Sequence, residues 1–156
     1  MILGSMPSTA SLRAGRYYAH PQNRFWPMMG RILAFNSCLA PSMRVAVLQA
    51  HHIGLWDVIG RCRRRGSLDA AIEVGSIETN PIAPLLASFA QLERILCNGA
   101  VAYRVWKQKV APTLTANYSV LQLPSTSAAN ASWSMDALVR EWRCALDSPE
   151  RRQLQS

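Results

Sequence analysis

Short apolar segments alternate along the chain with longer segments whose apolar residues have helical spacing. The apolar segments predict strands at 1–3, 53–59, 94–99 and 118–123. The helical spacing predicts helices at 21–36, 43–52, 81–91, 100–110 and 135–147. In the first of these helices, Phe25 and Trp26 are expected to be core residues.

This alternation indicates an α/β fold. Strands that alternate with helices form a parallel sheet covered on both faces. We therefore predict a three-layer α/β/α sandwich around a central four-stranded parallel sheet. The chain has 156 residues, of which 49% are hydrophobic, and this is enough to bury a core in a single domain. We place that domain at 1–147 and a C-terminal tail at 148–156. A strand that begins at the first residue is unusual and suggests an upstream extension in the native protein or its relatives.

Polar residues follow the end of each predicted strand. They are GSMPS at 4–8, Asp57, Asn98 and PSTSAAN at 124–130. Ligands of parallel sheets bind at the carboxyl ends of the strands. We therefore expect these four segments to converge on one binding site.

Charge suggests the kind of partner. Seventeen Lys and Arg against nine Asp and Glu give a net charge of +8, which attracts polyanions such as nucleic acids. The densest basic cluster is Arg61, Arg63, Arg64 and Arg65. It could contact DNA, although a solvated loop is the default interpretation.

Other classes of site find little support. The four cysteines have no CxxC spacing, so we expect no metal site and no other cofactor. We see neither a signal peptide nor a run of about 18 apolar residues, so we expect a cytoplasmic protein without a membrane span. A serine esterase is also a poor fit, because Ser5 is not in a GxSxG turn.

Several motifs, in this order, resemble those of the uracil-DNA glycosylase superfamily, and most of all its hypoxanthine-DNA (deoxyinosine) glycosylase branch. They are GSMPS, YYAHPQNRFW at 17–26, IGLWDVI at 53–59, GSLDAAI at 66–72, CNG at 97–99 and LPSTSAANA at 123–131. The resemblance implies hydrolysis of the glycosidic bond of a deaminated base, with hypoxanthine favoured. The base is flipped out, water attacks and an abasic site remains. The implied partner is double-stranded or single-stranded DNA, bound by a monomer associated with the nucleoid.

Two positions depart from the uracil-specific and mismatch-specific branches. Those branches have Asp or Asn where this chain has Met6, and His or Asn where it has Leu123. We therefore expect weak uracil chemistry, with Met6 lining the base site. In the hypoxanthine branch the water is positioned by an Asn that matches Asn23.

The remaining roles have structural alternatives. Asn23 could instead brace the following helix, and His20 could assist the leaving base or only stabilise the turn. Tyr18 matches the base-stacking position of the mismatch-specific branch. Asn98 is expected to pair with both N1–H and O6 of hypoxanthine, unless it is a turn residue. Asp57 could accept N1–H, although we favour a role in bracing the loops.

The hydroxyl-rich segments are candidates for phosphate binding, with helix and turn capping as the alternative. The candidate residues are Ser5, Ser8, Ser125, Thr126 and Ser127. Asn130 is expected to hold the second loop in shape. No residue stands out as the wedge that replaces a flipped base, because relatives use a Leu where this chain has only Ser127, Ala128 and Ala129.

Two functional alternatives remain. One is excision of uracil or xanthine, and the other is a non-catalytic nucleic-acid-binding relative. Strand cleavage would need a Schiff-base lysine, and the only lysines, Lys107 and Lys109, are predicted on a helix away from the site.

Overall fold

The computed structural model describes residues 1–147, so the predicted tail at 148–156 lies outside the described residues. The first half of the chain contains β1 (Ile2–Gly4), α1 (Thr9–Ala14), α2 (Phe25–Ile32), α3 (Pro41–Ala50), β2 (Leu55–Asp57) and β3 (Ile59–Arg61). The second half contains β4 (Glu78–Thr79), α4 (Ile82–Ala87), β5 (Arg94–Asn98), α5 (Ala100–Val105), β6 (Ser119–Leu123) and α6 (Met135–Asp147).

A parallel sheet of four strands in the order β2-β1-β5-β6 forms the centre of the protein. Alternate side chains of a strand point to opposite faces, and the core follows this rule. Ile2 and Leu96 pack on one face with α2 and α6, whereas Leu3 and Ile95 pack on the other with α5. The predicted α/β/α sandwich with a four-stranded parallel sheet is confirmed.

Helix α2 begins later than predicted, at Phe25 instead of residue 21. The backbone N–H of Arg24 donates to the carbonyl of Thr126 at 2.9 Å, and the side chain of Asn23 accepts from the N–H of Phe25 at 2.9 Å. Residues 20–24 are thus held as a loop against the segment after β6. Tertiary hydrogen bonds there replace those of a first helical turn.

Other differences are local. The predicted strand at 53–59 is divided into β2 and β3, and β3 pairs with β4 in a separate antiparallel ribbon. Helix α4 ends at Ala87, and α5 continues as a wider π-helical turn, Trp106–Val110.

Helix α1 was not predicted. Its N-terminus is capped by Ser8, whose hydroxyl accepts from the N–H of Ser11 at 3.1 Å, and its C-terminus by Gly15 in the left-handed conformation. A polar cap followed seven residues later by glycine is the signal that could have revealed it.

Trp142 connects α6 to the segment after β6. Its ring is fully buried and lies edge-on to the ring of Phe25, with the two ring centroids 6.4 Å apart. Its Nε1–H donates to the carbonyl of Pro124 at 3.0 Å. The helical layer therefore holds one wall of the strand-end region in place. No helix within 1–147 has the length and apolar character needed to cross a membrane.

We expect Trp142→Phe to lower the free energy of unfolding by about 1–3 kcal/mol, because it removes ring volume and leaves the Pro124 carbonyl without its donor. Urea denaturation measures this change. Trp56→Phe is the matched control, because Trp56 is 38% exposed and its replacement should change stability by less than about 0.5 kcal/mol. Equal losses in the two variants would contradict the structural role given to Trp142.

Candidate active site

A cavity of about 530 Å³ opens at the carboxyl ends of the central strands, a size typical of small-ligand sites. All four predicted strand-end segments reach it, and so does the 17–26 loop. Of the predicted site residues, the lining includes Ser5, Met6, Ser8, Tyr18, Asn23, Asp57, Asn98, Ser125, Thr126 and Ser127. His20 is exposed and lies outside this lining. The predicted convergence of the segments is therefore present.

Thr126 connects three of these segments. It is fully buried, and its hydroxyl donates to Oδ1 of Asn23 at 3.1 Å and accepts from Nδ2 of Asn98 at 3.0 Å. Its backbone N–H donates to Oδ1 of Asn98 at 2.9 Å, and its carbonyl accepts from Arg24. Because all its polar groups are used inside the protein, Thr126 is not available to bind a phosphate, contrary to the prediction.

Asn98 is also committed to protein partners. Its Nδ2 group donates to the hydroxyls of Thr126 and Tyr18, the latter at 3.1 Å, and its Oδ1 accepts from the backbone of Thr126. A two-point contact with hypoxanthine would require the Nδ2 hydrogens to be free. In this structure Asn98 therefore braces the loops, which corrects the predicted edge-reading geometry.

Tyr18 lies between the core and the cavity. Its ring stacks on that of Phe25 with centroids 4.0 Å apart, and Phe25 is fully buried. The backbone of Tyr18 has a φ of 52°, a left-handed conformation that is unusual for an aromatic residue. Burial and the nearby Asp57 raise the pKa of its phenol, so the hydroxyl stays protonated. One ring face is supported by Phe25, and the residue itself lines the cavity.

Asn23 has a fixed orientation. Its Oδ1 accepts from the backbone of Phe25 and from Thr126, and both of these groups can only donate in this arrangement. The amide oxygen is therefore fully used. The Nδ2 group forms no hydrogen bond within residues 1–147, so the amide offers the cavity a donor and no free acceptor.

Asp57 presents a carboxyl group to the cavity. The residue is 7% exposed, and its carboxylate oxygens accept no hydrogen bond from the part of the chain that the structure describes. Only its backbone carbonyl braces a loop, by accepting from Asn80 at 2.7 Å. The carboxyl fits because residue 4 is glycine, since a Cβ at Gly4 would collide with Oδ1 of Asp57. The predicted loop-bracing role of this side chain is not supported.

Burial, with a contribution from the nearby Asp69, raises the pKa of Asp57 to about 7. A carboxyl group with this pKa is largely protonated in slightly acidic solution. It can then donate one hydrogen bond and accept another.

Asp69 is a cavity residue for which no role was predicted. Its carboxylate accepts from the hydroxyl of Ser5, with both oxygens at 2.8 Å. Burial raises its pKa, whereas the bond from Ser5 and the charges of Arg64 and Arg104 lower it. The motif GSLDAAI contains Asp69, but nothing in its spacing indicates that the side chain reaches Ser5.

The other predicted phosphate-binding hydroxyls act as caps or bind carboxylate. Ser125 accepts from the backbone of Ser127 at 3.2 Å, and Ser127 accepts from that of Ala129 at 3.3 Å. Ser8 caps α1, and Ser5 donates to Asp69. These four serines also line the cavity.

His20 and Met6 have simple environments. Nδ1 of His20 accepts from the backbone of Gln22 at 3.2 Å, which fits the turn-stabilising alternative. Sδ of Met6 accepts a hydrogen bond from the Cys62 thiol at 3.1 Å, and Met6 forms part of the cavity lining. Asn130 donates to the carbonyl of Ser125 at 2.9 Å, as expected of a residue that shapes the second loop.

Comparison with known proteins identifies the family. The uracil DNA glycosylase superfamily model matches residues 1–147. The chain belongs to this superfamily. It is 35% identical over 136 residues to a protein from Methanosarcina acetivorans named hypoxanthine DNA glycosylase, covering 86% of this chain and 82% of the relative. A protein of the same name from Methanosarcina barkeri is 35% identical over 100 residues, covering 64% of this chain and 62% of the relative.

A solved structure supports the same assignment. The solution NMR structure of a candidate uracil DNA glycosylase from Methanosarcina acetivorans superposes with a TM-score of 0.76 and 32% sequence identity. The match covers 93% of this chain and 86% of the other. The uracil DNA glycosylase fold is therefore common to both.

Arg24 is a second residue of this glycosylase domain that sequence reasoning missed. Its guanidinium donates to the carbonyls of Trp133, of Asn130 at 2.8 Å and of Ser127 at 3.2 Å. It thereby closes the second loop. Its position next to Asn23 was the only signal, because loop carbonyls cannot be recognised from sequence.

The solvated-loop interpretation of the basic cluster is wrong for Arg64. Its guanidinium donates to the carbonyl of Pro7 at 2.7 Å and to that of Ser67 at 3.4 Å. Arg61, Arg63 and Arg65 are exposed, as the default interpretation expected.

We expect Thr126→Val to lower the free energy of unfolding by about 1–3 kcal/mol, because Asn23 and Asn98 each lose a partner in a buried setting. Thr126→Ser keeps the hydroxyl and is the matched control, with a loss of about 1 kcal/mol for the missing methyl. Urea denaturation of both variants measures the difference. A valine variant as stable as the native protein would show that the hydroxyl contributes nothing.

Proposed function

We propose that this DNA glycosylase removes hypoxanthine from deoxyinosine in DNA by base flipping and water attack, and leaves an abasic site. Superfamily membership and the two curated relatives make the protein a DNA glycosylase for deaminated bases. The choice of hypoxanthine rests on the name of both relatives. The cavity at the strand ends offers a place for a flipped base.

Asp57 is proposed to read the base, in the role that the sequence assigned to Asn98. Hypoxanthine carries an N1–H donor beside the O6 acceptor, and a protonated carboxyl group offers the complementary acceptor and donor. The assignment is supported by the open hydrogen-bonding capacity of this carboxyl, which accepts no bond from residues 1–147 and lines the cavity. Met6 contributes apolar surface to the same wall.

Tyr18 is proposed to stack on the flipped base. Its support by Phe25 and its position in the lining favour a pre-formed platform. Base–aromatic stacking typically contributes about 1–3 kcal/mol per base.

Asn23 is proposed to position the attacking water through its Nδ2 donor. An amide is a weak base, so the rate must come mainly from stabilising positive charge on the sugar and negative charge on the departing base. Water adds to C1′ as the bond from C1′ to N9 breaks, and the bonding electrons leave with the base. The water gives up a proton to solvent and the departing base takes one up, so that the sugar carries a hydroxyl and the base leaves neutral. His20 has no part in this scheme, because it lies outside the lining.

The DNA backbone is proposed to cross the small residues of the cavity rim. Ser5, Ser8, Ser125 and Ser127 line that rim, and short side chains allow a phosphate to approach backbone N–H groups closely. The net charge of +8 favours the encounter.

Uracil or xanthine excision is the second candidate. Uracil and xanthine also carry an N–H group beside a carbonyl, so the Asp57 carboxyl complements them too. Met6 in place of a polar residue disfavours strong uracil activity.

The first test is excision from matched labelled duplexes that contain deoxyinosine, deoxyuridine or deoxyxanthosine, each followed by alkali. We expect alkali-dependent cuts mainly at deoxyinosine. Asn23→Ala should reduce the rate by roughly 100-fold or more, in the range seen for loss of one positioned catalytic group.

Asn23→Asp separates chemistry from folding. It keeps oxygen acceptors for Phe25 and Thr126 but lacks the amide hydrogens, so we expect near-native stability with impaired excision. Cuts mainly at deoxyuridine would instead favour the second candidate. Tight DNA binding by the native chain without any cut would indicate a non-catalytic relative.

The proposed reader predicts a dependence on pH. Because the pKa of Asp57 is raised to about 7, the protonated form predominates below this pH and is lost above it. We therefore expect kcat/KM on deoxyinosine to fall as the pH rises above about 7. The charged or titratable groups around Asp57 are Tyr17, Tyr18 and Asp69, with Arg64 and Arg104 acting on Asp69.

Asp57→Asn is the matched variant for this profile. Its amide offers a donor and an acceptor at every pH, so we expect activity to be retained and the fall above pH 7 to disappear. An unchanged alkaline fall in this variant would assign the titration to another group.

A further inference from the structure

Leu68 is an exposed apolar residue at the mouth of the cavity. Its side chain lines the cavity, yet 57% of the residue is open to solvent. It lies on the loop between β3 and β4, immediately before Asp69. Exposing a leucine forgoes the free energy of burying it, so its burial in a complex would be favourable.

The loop holds Leu68 in a defined place. Ser67, on one side, accepts from the backbone of Thr9 at 3.1 Å and shares a hydrogen bond of 2.9 Å with the Thr9 hydroxyl. Asp69, on the other side, binds Ser5, and Arg64 ties the same loop to Pro7. Both neighbours of Leu68 are therefore fixed to the segment after β1. The leucine is the part of this stretch that remains uncovered.

The loop after β6 brings a large side chain to the cavity, that of Trp133, but it is partly buried and packs against the core. The second loop carries only small residues at 125–129, and Ala128 and Ala129 are exposed. An extruded base leaves a gap in the stack that must be filled or must collapse. Trp133 is held against the core, whereas Leu68 is 57% exposed, so Leu68 is the long side chain that is free to enter such a gap.

Positive charge on the same loop favours DNA as the occupant. Arg61, Arg63 and Arg65 are exposed, and exposed guanidinium groups attract phosphates on either side of an inserted residue. An apolar tip among cationic side chains is the combination found in proteins that push a wedge between base pairs.

We propose that Leu68 inserts into the DNA duplex and occupies the space that the flipped nucleotide vacates. This inference rests on the proposed function, because it presumes a flipped base in the cavity. It assigns the wedge to the loop between β3 and β4 instead of the loop after β6. Leu68 is thus a positioning residue that acts on the duplex and takes no part in breaking the glycosidic bond.

The test compares Leu68→Ala with Leu12→Ala on double-stranded and single-stranded substrates that carry deoxyinosine. A wedge matters only where a stack must be opened, so Leu68→Ala should slow excision from the duplex by roughly 10-fold or more and leave single-stranded excision within about 2-fold. Leu12 is 58% exposed and does not line the cavity, and its replacement should change neither rate. Leu68→Met keeps the length of the side chain and should retain duplex activity.

A second readout is independent of catalysis. A 2-aminopurine placed beside deoxyinosine in the duplex should brighten when the native chain or the Leu12→Ala variant binds and unstacks it, and should brighten less with Leu68→Ala. The proposed insertion of Leu68 would be overturned if Leu68→Ala slowed excision equally on duplex and single-stranded substrates. It would also be overturned if this variant brightened the probe as much as the native chain does. A native chain that brightens the probe but excises nothing would refute the proposed function and leave the insertion supported.

Discussion

The site depends on the hydrogen bonds of one buried threonine. Thr126 binds Asn23 from the loop before α2 and Asn98 from the end of β5, and Asn98 in turn holds the hydroxyl of Tyr18. Segments that are up to 103 residues apart in sequence are fixed by these buried and part-buried side-chain bonds, where the loss of a partner is costly. Tyr18, Asn23 and the second loop are thereby placed together before any substrate arrives.

The fold could be predicted from sequence because its signals are local and repeated. Apolar strand segments and helical spacing gave the four-stranded parallel sheet, and the polar residues at the strand ends gave the position of the cavity. The start of α2 could not be predicted, because Arg24 and Asn23 bond to Thr126 and Phe25 instead of continuing a helical turn. Hydrogen bonds to a distant segment cannot be inferred from the spacing of apolar residues, which reports only the helical period of 3.6. Asp69 and Arg24 were missed for a similar reason, since their hydrogen-bond partners lie on distant segments.

Asn98 and Asp57 show why residue type alone does not settle a role. Both follow a strand, both are buried and both can bond to a base edge. The amide of Asn98 forms hydrogen bonds with three protein groups. The carboxyl of Asp57 forms none within the described chain, and its burial raises its pKa. What distinguishes them is how many donors and acceptors the fold leaves open at each position. The number of open donors and acceptors can be read only from the three-dimensional structure.

The space around Gly4 has a consequence for how this site can vary. The carboxyl of Asp57 occupies the volume that any side chain at position 4 would need, and the hydroxyl of Tyr18 lies beside it. Positions 4 and 57 are therefore sterically coupled across 53 residues of sequence. Among related proteins, a residue larger than glycine at position 4 should accompany the loss of the carboxyl at position 57. The two changes should be tolerated together more often than separately.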